Sequence, residues 1–100
     1  MQDKLEIARA EIFRGRQHRL VFLALEEMAY MVSEITKKVN KSIEQTNDGK
    51  TLTLREVSRS LKWLAERGYA KCLNPTSEQG VKGIVYRLST KGKQIKKIMP

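Results

Sequence analysis

Apolar residues recur at helical spacing in one stretch of the chain, and both ends of that stretch carry helix-boundary signals. From Thr51 to Gly68 the sequence reads TLTLREVSRSLKWLAERG. Thr53 followed by Glu56 fits a capping box, and Gly68 suits a left-handed C-cap. The pattern therefore predicts a helix over residues 53–67. Its apolar face is formed by Leu54, Val57, Leu61, Leu64 and Ala65.

The opposite face of this helix is polar and mostly cationic. On a helical wheel it groups Arg55, Ser58, Arg59 and Lys62. Such a face, on a helix seated on a small core, suits contact with phosphates and base edges. A solvated basic face is the simpler interpretation, and the helix alone is compatible with both.

Three further helices are predicted before this one, over residues 3–13, 17–29 and 32–45. Gly15 separates the first from the second, and Tyr30 and Met31 form a brief link to the third. The second is apolar on most sides, so we expect it to be the central core helix. The turn residues 46–49 end the third.

After Gly68 the pattern changes from helix to strand. YAKCLNP and IVYRL read as two short strands, separated by the polar loop TSEQGVKG. They predict a β-hairpin with a flexible, mildly basic tip at Lys82. Ser89 or Thr90 then caps a last helix, KGKQIKKIM.

Both chain ends carry more apolar surface than a small core requires. The N-terminal helix, within residues 1–16, and the last helix, within residues 89–100, are each apolar on one side. Packing on the chain's own domain is one use of the N-terminal helix. We expect instead a homodimer to which both helices contribute. Its predicted contact residues are Leu5, Ile12, Phe13, Ile95, Ile98 and Met99.

The net charge of +9 lies almost wholly in the second half of the chain. Residues 1–52 carry nine Lys and Arg against eight Asp and Glu, whereas residues 53–100 carry eleven against three. This asymmetry favours nucleic acid or another anionic surface as the partner. A lysine-rich protein without such a partner is the alternative.

Composition also excludes several classes of protein and of functional site. One hundred residues predict a single domain over 1–100. No apolar run approaches the roughly 20 residues that cross a bilayer, and no signal-peptide core is present, so we expect a cytoplasmic protein. One cysteine and one histidine can form neither an internal disulfide nor a Cys/His zinc cluster. No nucleophile–base pair or phosphate-binding glycine loop occurs, so we expect no enzyme, cofactor or metal site.

Two runs resemble winged helix-turn-helix regulators. VSRSLKWLAERGYAK, residues 57–71, resembles their recognition-helix signature, in which Val-Ser-Arg, Leu-Lys and Leu precede the glycine that opens the wing. YRLSTKG, residues 86–92, resembles the junction between the wing and the last helix. The resemblance covers residues 18–99, and the nearest relatives look like the MarR-like and ArsR-like regulators of bacteria and archaea.

The resemblance implies an α+β, mostly α fold: a winged-helix core over 17–88 with a two-stranded hairpin wing, flanked by N- and C-terminal helices. It implies a nucleoid-associated, dimeric transcriptional regulator that binds duplex DNA. The recognition helix 53–67 would enter the major groove, and the wing 70–88 would meet the adjacent minor groove or backbone. The residues carried over as facing DNA are Arg55, Ser58, Arg59, Lys62 and Lys82.

Two other uses of the same fold are the alternatives: a protein–protein interaction module of transcription or replication machinery, and a module that binds RNA or DNA ends. The charge of the second half argues against the first of these. An enzyme is the weakest alternative.

Three features bear on the resemblance. The segment 40–52 is longer than the usual turn of the motif, so either the third helix is prolonged or a loop is inserted. Trp63 lies off the main apolar stripe, where it packs on another helix or lines an effector pocket, as in some relatives. Cys72 is interpreted as a small core residue rather than a redox sensor, and His18 as structural or surface-exposed.

Overall fold

The computed structural model describes residues 2–98, which form five helices and a three-stranded antiparallel sheet. The α+β, mostly helical class expected from the sequence is therefore confirmed for this part of the chain. The helices are α1 (Gln2–Arg14), α2 (Arg16–Ala24), α3 (Val32–Thr46), α4 (Leu54–Glu66) and α5 (Thr90–Lys97). The strands are β1 (Tyr30–Met31), β2 (Ala70–Cys72) and β3 (Val85–Leu88), with a 3-10 turn at Gly80–Gly83.

Helix α4 forms where the sequence predicts it, because local signals cap both ends. The hydroxyl of Thr53 accepts a hydrogen bond from the N–H of Glu56 at 3.1 Å, and the Glu56 carboxylate accepts one from the N–H of Thr53 at 2.9 Å. At the other end Gly68 adopts a φ of 83°. The N–H groups of Gly68 and Tyr69 donate to carbonyls of the last turn at 3.0 and 2.8 Å, which is a Schellman motif. This motif turns the chain directly into β2.

Helix α2 lies at the centre of the core and packs on α1, α3 and α4. The expectation of a central core helix is confirmed, since Leu20, Val21 and Phe22 are all buried. The facing side of α4 is buried as well, with Val57 and Leu61 fully removed from solvent.

Helix α2 is shorter than predicted and ends at Ala24. A long-range contact satisfies carbonyls at this end: the Lys96 ammonium of α5 donates to the carbonyls of Leu23 and of the C-cap residue Leu25. The apolar run that suggested a longer helix therefore continues as irregular chain. Met28, within that run, is 67% exposed.

The two residues expected to be a link form the edge strand β1 instead. Tyr30 lies opposite Tyr86 in an antiparallel pairing, so β3 is the central strand of the order β1-β3-β2. In the predicted hairpin, Cys72 also pairs with Tyr86. Burial raises the pKa of Tyr86 to about 12. Cys72 is half-buried and packs against the core without belonging to its fully buried residues, so it is only partly the core residue expected.

The segment 40–52 contains a prolonged third helix rather than an inserted loop beside a short one. Helix α3 runs to Thr46, and a clamp ties the following chain back to it. The Asn40 side chain donates to the carbonyl of Leu52 at 3.0 Å and accepts from its N–H at 2.7 Å. Arg16 donates to the carbonyl of Asp48 at 2.6 Å. These bonds fix the entry into α4.

The predicted dimer surface is wrong for two of its residues. Ile12 and Ile95 are fully buried within the chain itself, because α1 packs on α5 and on α2. They contribute to the core and leave no side-chain surface for a partner. Of the other predicted members, Leu5 and Phe13 are half-buried and Ile98 is partly exposed. Met99 lies outside the described residues.

Helix α5 approaches the core closely at Gly92. A Cβ atom on this glycine would collide with the carbonyl of Tyr69 and press on the side chain of Leu88. The hydroxyl of Ser89 caps the same turn by accepting from the N–H of Gly92 at 2.9 Å. A glycine is therefore required by packing, not by backbone conformation.

Substituting Gly92→Ala separates packing from helix propensity. Propensity alone favours alanine by about 1 kcal/mol, but the collision should destabilise the fold by about 1–3 kcal/mol, the usual cost of overpacking. Urea denaturation followed by circular dichroism measures the difference. Gln94→Ala, at an exposed position of the same helix, is the control and should change little. A stabilised Gly92→Ala protein would contradict the packing seen at this site.

Candidate nucleic-acid interface

The outward face of α4 holds three cations in one stripe. Arg55, Arg59 and Lys62 are exposed and spaced four and three residues apart, so they lie along one side of the helix. None of the three forms an ion pair with a side chain that the structure describes. The ion pairs found within residues 2–98 engage other cations: Arg19–Asp48, Lys38–Glu26, Arg67–Glu11 and Lys93–Glu27. We call Arg55, Arg59 and Lys62 the cationic stripe.

The rotation of α4 that exposes this stripe is set by its opposite face. Val57, Leu61 and Leu64 have no exposed surface. Turning the helix by one residue position would expose them and bury guanidinium groups without partners, at a cost of several kcal/mol per charge. The capping box adds a polar anchor, since Gln17 of α2 donates to the Glu56 carboxylate at 2.7 Å.

Ser58 does not lie on the surface as its wheel position suggests. Only 6% of this residue is exposed. It lines a cavity of about 400 Å³ together with Leu54 and Val81, and all three residues of the cationic stripe border the same cavity. The expectation that Ser58 is presented like the neighbouring cations is therefore corrected: its hydroxyl is recessed.

The hairpin loop, residues 73–84, is folded and anchored rather than extended. The Asn74 side chain accepts from the N–H of Val85 at 2.5 Å and donates to the carbonyl of Gly83 at 3.3 Å, which closes the loop. The N–H of Val32 donates to the carbonyl of Ile84 at 2.8 Å, and the 3-10 turn packs on α3. The loop is therefore tied to the fold at both of its ends and contains a 3-10 turn, and the flexibility of its tip stays a prediction.

The turn places Val81 beside α4 and exposes Lys82. Lys82 is exposed, as expected, and Val81 lines the cavity next to the cationic stripe. Val81 was not among the residues predicted from the sequence. The signal that could have found it is an apolar residue within an otherwise polar loop, and it is 41% exposed.

The hairpin strands add cations that the sequence reading also missed. Lys71 of β2 lies directly opposite Arg87 of β3. Alternation along β3 buries Tyr86 and Leu88 and leaves Arg87 half-exposed on the outer face. The pair adds two cations to the outer face of the hairpin.

Trp63 packs on α2, as the structural interpretation of its position predicted. Its indole stacks on the His18 imidazole with centroids 4.0 Å apart and planes within 5°, and the Arg67 guanidinium lies 4.5 Å from the indole centroid. His18 Nδ1 is 3.2 Å from the hydroxyl of Ser60. Trp63 and His18 also border an open groove of about 700 Å³ beside Arg14, so effector binding there stays a prediction.

Neither a family model, a curated protein nor a solved structure matches this chain. Within the described residues, no group of three or more His, Cys, Asp or Glu side chains could hold a metal ion. None of the described helices has an apolar stretch long enough to cross a membrane. The cationic stripe and the cavity beside it are therefore interpreted from their own chemistry.

The His18–Trp63 stack predicts a pH dependence of folding. Burial, with a smaller contribution from Arg67, lowers the pKa of His18 below 6.5. The unfolded chain then binds this proton more readily than the folded chain does. The free energy of unfolding should therefore keep its full value above pH 6.5, and it should fall as the pH drops through 6.5 towards the pKa of the folded state. Urea titrations across this window measure the slope.

His18→Gln is the control for that slope. Since His18 is the chain's one histidine, the variant should be flat over the window in which the wild type loses stability. An unchanged slope in His18→Gln would show that another group is responsible. Emission of the single tryptophan, Trp63, reports the same titration in the folded protein.

Proposed function

We propose that this chain is a winged helix-turn-helix protein that binds duplex DNA sequence-specifically and regulates transcription. The order α3, α4, then the β2–β3 hairpin agrees with the arrangement that the sequence resemblance implies. The observation that carries the proposal is the cationic stripe: three exposed cations, unpaired among the described residues, on the face of a helix whose other face is fully buried.

The stripe suits the major groove by size and by chemistry. A bare α-helix fits this groove of about 12 Å, and α4 presents the stripe along 13 residues of regular helix. Arg59 lies at its centre, where a guanidinium can reach O6 and N7 of a guanine bidentately. Arg55 and Lys62 are placed to meet the flanking phosphates.

Lys82 supplies a phosphate contact from the hairpin, the proposed wing. It lies in the same ordered turn as Val81, which borders the cavity beside α4. The turn therefore contacts the backbone at the edge of the groove that α4 enters. The excess positive charge of residues 53–100 supports the same partner, because released counterions supply much of the affinity for DNA.

Arg59→Ala tests the assignment. The fold should stay within about 0.5 kcal/mol of the wild type, since the side chain is exposed. Binding to a duplex selected from a random library should weaken by about 1–3 kcal/mol, with less discrimination at one base pair. Anisotropy titrations at fixed salt and thermal melts measure the two quantities. Arg14→Ala, an exposed arginine on α1, is the matched control and should bind normally.

The combined variant Arg55→Ala, Arg59→Ala, Lys62→Ala gives the decisive negative result. If its affinity for DNA equals that of the wild type, α4 is not a recognition helix, and a protein-interaction module becomes the better interpretation. Such a result would leave the described fold unchanged.

We also propose that the protein is a homodimer, with α1 as part of the interface. Ile12 and Ile95 are excluded by burial, but Ile7 is 65% exposed on α1 and Ile98 is 42% exposed after α5. A symmetric dimer would place two copies of α4 on half-sites about 34–36 Å apart, or a multiple of this.

Light scattering tests the dimer. Ile7→Glu should convert it to a monomer, because a charge would be buried without a partner. Leu73→Glu, at a residue 45% exposed in the hairpin loop, is the control and should remain dimeric. A wild-type monomer at micromolar concentration would overturn this proposal without touching the DNA-binding one.

A further inference from the structure

The cavity beside the cationic stripe combines apolar and polar groups in a way that a phosphate-binding surface does not require. Leu54 and Val81 supply its apolar surface, and Ser58 supplies a hydroxyl. Leu54 begins α4, whereas Val81 comes from the hairpin loop 27 residues later in the sequence. The 3-10 turn that carries Val81 packs on α3.

The Ser58 hydroxyl is unusual in this structure. The residue is 94% buried, since 6% of it is exposed, yet its hydroxyl forms no hydrogen bond with another described residue. Thr36 and Thr46, also within a helix, donate to the carbonyl four residues earlier at 2.8 Å. Its oxygen is not among the fully buried unpaired side-chain atoms of the described residues, so it faces the cavity and is open to a ligand or to water.

Val81 is the second feature that the described contacts leave unexplained. It is a β-branched apolar residue, 41% exposed, at the rim of a strongly cationic surface. The anchored loop holds it in place, so its exposure is built into the fold. Apolar surface at this position can contact an apolar group on the partner.

Thymine is the base whose major-groove edge matches both the apolar surface and the hydroxyl of this cavity. It presents a C5-methyl group and, next to it, the O4 acceptor. Guanine offers two acceptors without a methyl group, cytosine offers an amino donor, and adenine offers one acceptor and one donor. The cations that border the cavity, Arg55, Arg59 and Lys62, supply the phosphate and neighbouring-base contacts that would hold a base edge there.

We propose that this cavity reads a thymine in the major groove, with Leu54 and Val81 packed on its methyl group and the Ser58 hydroxyl donating to O4. The inference rests on the proposed DNA-binding function and extends it to base specificity. It makes the hairpin turn a reader of sequence through Val81, in addition to its electrostatic role through Lys82.

The test replaces thymine by deoxyuracil, which removes only the methyl group. The probe is the duplex most enriched by the wild-type protein from a random library, resynthesised with each thymine changed in turn. At the thymine read by the cavity, the wild type should lose about three- to fivefold in affinity, the scale of burying one methyl group. Val81→Ala should show a similar loss on the thymine duplex and no further loss on the uracil duplex.

Two variants in the same loop are controls. Leu73→Ala, at a residue 45% exposed that does not line this cavity, should bind both duplexes like the wild type. Lys82→Ala should weaken both equally and make the salt dependence shallower by about 1.

The outcomes separate this inference from the proposed function. If no thymine-to-uracil change matters, or if Val81→Ala keeps the full uracil effect, the cavity does not read a methyl group, although DNA binding stands. If the library yields no enriched sequence, no base is read and the inference fails. If no duplex binds at all, the proposed function fails with it.

Discussion

The packing of α4 on α2 is the constraint on which the rest of the structure depends. Val57, Leu61 and Leu64 are completely buried, and each such side chain contributes about 1.5–3 kcal/mol through removal from water. Because their burial allows one rotation of the helix about its axis, it also decides which side chains face outward. The cationic stripe is exposed as a consequence of core packing. The Schellman motif at Gly68 then aims the chain into β2, so the same helix sets the direction of the hairpin.

Hydrogen bonds between residues far apart in the sequence hold the loops that lie outside the core. The Asn40 side chain pairs with both backbone groups of Leu52, which ties the approach to α4 onto α3. Asn74 does the same inside the hairpin loop, where it bonds the chain at Gly83 and Val85. Each amide satisfies backbone groups that would otherwise be unpaired in partly buried loops. These clamps turn long connections into ordered surfaces, and one of them carries Val81 to the side of the stripe.

Charge is distributed so that one surface stays positive. In the described part of the chain, carboxylates pair with cations of the other surfaces, as in Arg19–Asp48 and Lys93–Glu27, while the stripe has no such partner. Exposed ion pairs of this kind add little stability. Their arrangement leaves Arg55, Arg59 and Lys62 without an ion-pair partner among the described residues. Under the proposed function, this distribution attracts a polyanion, and Ser58 and Val81 would add discrimination between bases.

The sequence by itself determined the elements whose signals are local. The caps at Thr53 and Gly68 and the apolar periodicity identify α4 to within a residue, since they depend on hydrogen bonds inside one or two turns. Tertiary structure alone decided the features that depend on distant partners. Helix α2 stops where Lys96 reaches its last carbonyls, and β1 is a two-residue strand that exists only through β3. Ile12 and Ile95 are core residues because α1 meets α5. A helical wheel gives the direction of Ser58, but its burial and the cavity with Val81 depend on how closely a separate loop approaches, which no local pattern encodes.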